Sequence, residues 1–184
     1  MNQQPSKFKV TLLWIAIATL GRLIPHPPNA TPLTSLCVLS SRQFSLKTSC
    51  FMMLLSLLLS DILLAFIQHH AIFGLWSLFT YSGFLMIMFG GARFIRQDTS
   101  FLNTFIFTGF SSIGFWLWTN LGTWLTTSLY QHTGYGLLTC YAAAIPFLRN
   151  AIIADLIWLA VLQYLLTSSD NKIIWRNKIF SRYD

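Results

Sequence analysis

Arg22, Asp61, Arg149 and Asp155 lie inside, or at the edge of, long runs of apolar side chains. An ionised side chain in the middle of a bilayer costs about 2.5–3.5 kcal/mol on insertion scales, so such residues turn inward and find partners. Two arginines and two aspartates offer two chemistries. They can pair as Arg–Asp locks that hold helices together. They can also line a polar pocket that binds or orients a solute, with Asp61 or Asp155 as the protonatable group of a proton-coupled carrier. The two readings are compatible, because the wall of a pocket must itself be held.

Other reactive residues point less clearly. His26, His69, His70 and His132 fall in the connections between apolar runs, and imidazoles gathered on one face can hold a transition metal. His69 and His70 are adjacent, however, and no HxH or HxxxH spacing occurs, so no metal is assigned. Cys37, Cys50 and Cys140 lack CxxC or any other ligand spacing and read as small core side chains. Trp116, Trp118, Trp124, Tyr130, Tyr135 and Tyr141 crowd one stretch. A membrane-interface belt accounts for most of them, and the rest suit a pocket for a ring-shaped solute. The chain has no GxxxxGKS or GxxxxGKT loop, no GxSxG and no HExxH, so it is not read as an enzyme and no cofactor is implied.

The elements that must position these residues are membrane helices. Of 184 residues, 54% are hydrophobic and 9% charged, against about 25% charged in an ordinary soluble protein. Five aspartates, no glutamate and twelve Lys and Arg give a net charge of +7. In a soluble protein that balance suggests nucleic acid. Here the basic residues punctuate apolar runs, where they set topology, and nucleic acid is not a partner. A crossing helix needs roughly 17–25 apolar residues. The runs 8–24, 48–67, 71–90, 101–119 and 150–168 qualify. The run 31–46 is short and rich in Ser and Thr, which disfavours a lipid-facing helix and suits one buried among others. Ala16-Ile17-Ala18 resembles a signal cleavage site, but the apolar run before it is about half the usual length, so the first helix is read as retained.

Cationic clusters follow alternate ends of these runs: Lys7 and Lys9; Arg42 and Lys47; Arg93 and Arg96; Lys172, Arg176, Lys178 and Arg182. Placing all four in the cytoplasm requires six spans, including 31–46, with both termini inside. The expectation is an all-α, polytopic helix bundle, one membrane domain over 1–184, with cytoplasmic tails 1–7 and 169–184. The outer connections are then 25–30, 68–70 and 120–149. Asp61 lies about 9 Å and Asp155 about 8 Å from the outer ends of their helices, at 1.5 Å per residue. In the last connection the pattern predicts an amphipathic piece near 121–130, a turn at Tyr135-Gly136 and a helical piece near 137–145. Pro146 and Asn150 then open the final span, with Asn150 as N-cap. The alternative is one Pro-kinked helix from 136 to 168. The first connection, PHPPNATP at 25–32, is stiffened by its prolines. It either presents His26 and Asn29 over a pocket mouth or fixes Arg22 against Asp61 or Asp155.

Three stretches carry a resemblance. RLIPHPPNATP at 22–32, LLLSD at 57–61, and WTNLGTWL at 118–125 followed by GLLTCYAAAIPFLRN at 136–150 and Asp155 resemble the signatures of a family of small, uncharacterised bacterial inner-membrane proteins grouped with transporters. The match covers about 22–32, 55–65 and 115–158. The size and six-helix plan are also similar to the S components of energy-coupling-factor vitamin transporters. These bind a vitamin or metal from outside, and most pass it on with a membrane coupling subunit and two ATPases. The resemblance implies a substrate-binding subunit for uptake of a small, vitamin-like solute in the bacterial inner membrane. Arg22, His26, Asn29, Asp61, Trp118, Asn120, Trp124, Tyr141, Arg149, Asn150 and Asp155 would form its site. Two features depart from S components. Ala16, Ala18 and Gly21 include no pair four apart for scaffold docking, and the chain begins Met1-Asn2 where the nickel and cobalt members begin Met-His. The rival reading is a non-transporting membrane scaffold or assembly factor with structural Arg–Asp locks. A solute-sized cavity holding these residues favours the first reading, and a filled interior the second.

Overall fold

The chain folds into helices wherever its apolar runs predict them. A computed structural model describes the backbone of residues 7–180 apart from 70 and 97, with side chains from 8 to 167. The expectations for His70 and for the side chains of Lys7, Lys172, Arg176, Lys178 and Arg182 lie outside the described residues, as do the outermost parts of both tails. The described elements are α1 (Lys7–Leu23), α2 (Leu33–Gln43), α3 (Leu46–Gln68), α4 (Leu75–Phe94), α5 (Phe101–Thr126), α6 (Gly134–Ala143) and α7 (Ile145–Phe180). Three are long and apolar enough to cross a membrane: Leu46–Gln68, Leu75–Phe94 and Ile145–Thr167. Local chemistry sets several boundaries. The side chains of Ser45, Ser100 and Thr133 cap α3, α5 and α6, each accepting a backbone N–H three residues on, and so satisfy donors the helix cannot. His69 closes α3 in the left-handed conformation, φ 54°.

The least apolar run forms the centre of the bundle. α2 packs against α1, α3, α4, α5 and α7, and every residue from Leu33 to Ser40 is buried. Its small side chains permit this. Ser40 and Ser41 return their hydroxyls to Cys37 O and Val38 O of their own helix, so they present little unsatisfied polarity to close neighbours. Eleven residues rise only about 16 Å, half of a hydrocarbon core of about 30 Å. α2 is therefore an internal pillar shorter than the bilayer, and the corner Phe44-Ser45 leads straight into α3. The outer face carries large apolar side chains such as Phe66, Leu78, Phe110 and Tyr164, all exposed, a surface suited to lipid rather than water.

Two ends of the bundle can be told apart by their contacts. At one end lie the loop 24–32, the C-termini of α1 and α3, the N-termini of α4 and α7, and α6; Arg22–Asp61 and Asn150–Pro28 contacts tie them. At the other end Arg42, from the last turn of α2, donates to Thr99 O before α5 and to Gln163 Oε1 on α7.

The region 120–150 corrects the sequence reading. α5 continues to Thr126, so the first part of the expected amphipathic piece is the last turns of a longer helix. Tyr135-Gly136 sit in the first turn of α6, not in a turn between elements. α7 starts at Ile145, which places Pro146 where a helix needs no N–H and puts Asn150 inside the helix rather than at its cap. Only Ala144 separates α6 from α7, its N–H bonded back to Cys140 O and Tyr141 O. The outcome lies close to the kinked-helix alternative. The fourth run begins at Leu75, later than expected.

Candidate functional site

Three features could do chemistry: an ion-paired cluster at the ends of α1 and α3, a buried carboxyl on α7, and an apolar groove beside α4 and α5.

The ion pair forms because α1 and α3 run side by side, so that the last turn of α1 meets α3 about two turns before its end. Arg22 Nη1 lies 2.6 Å from Asp61 Oδ1, with side chains 16% and 6% exposed. The same nitrogen donates to Ser60 Oγ at 2.6 Å and reaches Leu57 O. From α4, Tyr81 OH donates to Asp61 Oδ2 at 2.8 Å. Both carboxylate oxygens are thus engaged, and three helices meet at one charge pair. The geometry is that of a brace between helices. Ser60 and Tyr81 escaped the sequence reading. A tyrosine within an apolar helix, six residues past its start, was the available signal.

Asp155 sits where α2, α5 and α7 meet, 3% exposed. Its Oδ2 lies 2.6 Å from Ser112 Oγ. The Thr34 hydroxyl lies beside the same carboxyl, and Ser35 donates to the Asp155 backbone carbonyl. No Lys or Arg pairs with it among the described residues. Arg149 is exposed. Ser112 belongs to a buried row of hydroxyls, Thr104, Thr108 and Ser112, spaced one turn apart on α5. That i, i+4 spacing was the signal that could have found it.

The groove has a volume of about 520 Å³ and runs between α4 and α5, with Tyr141 of α6 at its edge. Gly83, Gly90 and Gly114 make room, and Phe107, Phe110, Phe115 and Trp118 supply rings. A Cβ added at Gly114 would meet nothing within 4 Å. Trp118 Nε1 donates to Ser82 Oγ and Tyr141 OH to Leu117 O, so both polar tips are anchored on the walls. Met86, Phe110 and Leu117 are exposed, which leaves the groove open along the side of the bundle.

The remaining expected site residues are dispersed. Asn120 Nδ2 returns to Trp116 O on its own helix. Trp124 Nε1 donates to Gln131 O and its ring meets His132 edge-on. In the first loop, Ala30 N–H bonds to Pro27 O across Pro28 and an Asn29 with φ 65°. This is the type II turn that Pro followed by Asn favours. His26 bonds to Pro27 O, and Asn150 Nδ2 donates to Pro28 O at 3.3 Å, fastening the loop to α7. Of the eleven expected residues, only Trp118 and Tyr141 line the groove; Arg22 and Asp61 meet each other, and Asp155 stands apart. Among the described residues no three His, Cys, Asp or Glu gather as a metal site.

The profile of a family of unknown function, DUF6580, matches residues 2–173, and the chain belongs to that family. No curated protein and no solved structure matches it.

Proposed function

We propose that this member of DUF6580 is a substrate-binding membrane subunit for uptake of a small, vitamin-like solute, and that the groove between α4, α5 and α6 receives the solute's ring. The observation that carries the reading is the groove itself. Its volume of about 520 Å³ falls within the roughly 300–1,000 Å³ of small-molecule sites, which are likewise mostly apolar. Five aromatic side chains and no charged one line it, so the bound part is uncharged and largely apolar. Trp118 and Tyr141, fixed by their own hydrogen bonds, form walls that need little reordering on binding. The cations Lys9, Arg42, Lys47, Arg93 and Arg96 mark the cytoplasmic end in this reading. The loop 24–32 and α6 then face outward, the six apolar runs span the bacterial inner membrane, and both termini are cytoplasmic. Release inward would use a membrane coupling subunit and ATPases, since the chain holds no phosphate loop.

The test is native mass spectrometry of protein purified gently from its own host, beside Gly114→Phe, whose Cβ has open space and which adds a ring to the groove wall. A discrete small-molecule adduct that is lost in the variant supports the proposal. An adduct that persists in Gly114→Phe, a phospholipid alone, or no adduct overturns it. The Arg22–Asp61–Tyr81 cluster favours a second reading, a scaffold or assembly factor braced by that lock, for which no adduct is expected.

A further inference from the structure

Among the described residues, Asp155 is the buried carboxyl that the groove does not use and that no cation meets. Every element packed against α7 supplies something other than charge. From α2 come the hydroxyls of Thr34 and Ser35 and, nearby, the Cys37 thiol. From α5 comes Ser112. From α6, Cys140 points its sulfur to Asn120 O and Tyr141 its hydroxyl to Leu117 O. Arg42 reaches α7 at Gln163, about two turns away. On α7 itself Arg149 is exposed, and the guanidinium of Arg22 is engaged by Asp61.

The hydrogens can be counted. Ser112 has one hydroxyl hydrogen and two oxygens in reach: Thr108 O at 3.0 Å and Asp155 Oδ2 at 2.6 Å. One turn and two turns earlier on the same face, Thr108 and Thr104 give their hydrogens to the carbonyl four residues back, the usual bond of a mid-helix hydroxyl. If Ser112 continues that row, the contact between its oxygen and Oδ2 needs a hydrogen from the Asp155 side. An ionised carboxylate has none, whereas a protonated one has one to give. No metal ion fits between two oxygens already in contact.

We propose that Asp155 is a proton-binding site: at neutral pH it carries a proton, donates it to Ser112 Oγ, and so completes the hydroxyl row of α5 at the junction with α2 and α7. The chemistry is one carboxylate taking up one proton. Ser111, the residue before Ser112 on α5, lines the groove, so the proton and a groove ligand would act on the same helix turn. The inference does not depend on the groove being a solute site.

The absence of glutamate and the presence of only five aspartates make infrared spectroscopy decisive. Full-length protein in lipid nanodiscs at pH 7 should show one protonated-carboxyl C=O band, lost in Asp155→Asn and retained in Asp61→Asn. Ser112→Ala should keep the band and move it to higher frequency, because the acid loses its acceptor. Absence of the band in the unaltered protein overturns the proposal, as does a band that survives Asp155→Asn. If Asp155→Asn does not fold, the Ser112→Ala spectrum decides: an unmoved band assigns the proton elsewhere and overturns the proposal.

Discussion

Asp61 and Asp155 look alike in the sequence and differ in the fold. Each sits on an apolar helix, within a few turns of the same end of the bundle, and each is almost wholly buried. Asp61 meets a guanidinium and a phenol, while Asp155 meets only hydroxyls. The difference comes from helix geometry. Arg22 and Asp61 lie near the ends of two neighbouring helices that run the same way, so a long side chain bridges them. Arg149 and Asp155 are six residues apart on one helix, a spacing that turns them to different faces. α7 therefore exposes its arginine and buries its aspartate. A buried acid next to an arginine braces helices, and a buried acid next to serines is free to carry a proton instead.

The comparison breaks first at the charge pair. Arg22→Leu leaves Asp61 buried without a counter-charge and should destabilise the protein by about 3–5 kcal/mol. The double variant Arg22→Leu/Asp61→Leu should recover most of that loss, because replacing both members of a buried pair is often near neutral. Thermal unfolding in detergent reads both. A double variant as unstable as the single one would mean that Arg22 acts through Ser60 and Leu57 O rather than through Asp61. Tyr81→Phe removes the second partner of an ionised carboxylate and should cost about 1.5–3 kcal/mol, the range for hydrogen bonds to charged groups.

At the other centre the same kind of deletion should matter less. Ser112→Ala removes a hydroxyl from a neutral network and should cost about 0.5–1.5 kcal/mol, the ordinary worth of a hydrogen bond. A loss as large as that of Tyr81→Phe would show an ionised Asp155 leaning on Ser112 and would erase the distinction between the two sites.

Much of this architecture was legible from hydropathy. The six apolar runs fall on α1, α2, α3, α4, α5 and α7, and the expectation that 31–46 is buried among other helices matches the central place of α2. The boundaries around 120–150 were not legible. Asn150 is expected at the cap of the final span, whereas α7 starts at Ile145 and takes Pro146 into its first turn, and the residues after Leu121 are expected to form a separate amphipathic piece, whereas α5 runs on through them to Thr126. The charges were recognised one by one, but their pairing depends on which helices lie adjacent, which hydropathy does not encode. Serine and threonine hid the second centre, since a hydroxyl bonded to its own helix leaves no mark in a hydropathy profile. The groove was hidden too, because it is made by glycines scattered over two helices.

The smallest expected effect tests whether the two centres are separate at all. Asn150 Nδ2 donates to Pro28 O, joining the helix that bears Asp155 to the loop that follows Arg22. The bond is long, solvent-facing and made by a turn that Pro27, Pro28 and Asn29 already shape. Asn150→Ala should therefore change stability by no more than about 0.5 kcal/mol, as surface substitutions do. Combined with Arg22→Leu it should be additive within about 0.3–0.5 kcal/mol, the behaviour of independent sites. A larger coupling in that double-mutant cycle would mean that PHPPNATP is a mechanical link and that loading the lock on α1 and α3 alters the strain at Asp155. Additivity would leave the loop as a stiff cap, one end of which happens to rest on α7, and would confine each aspartate's role to the helices it touches.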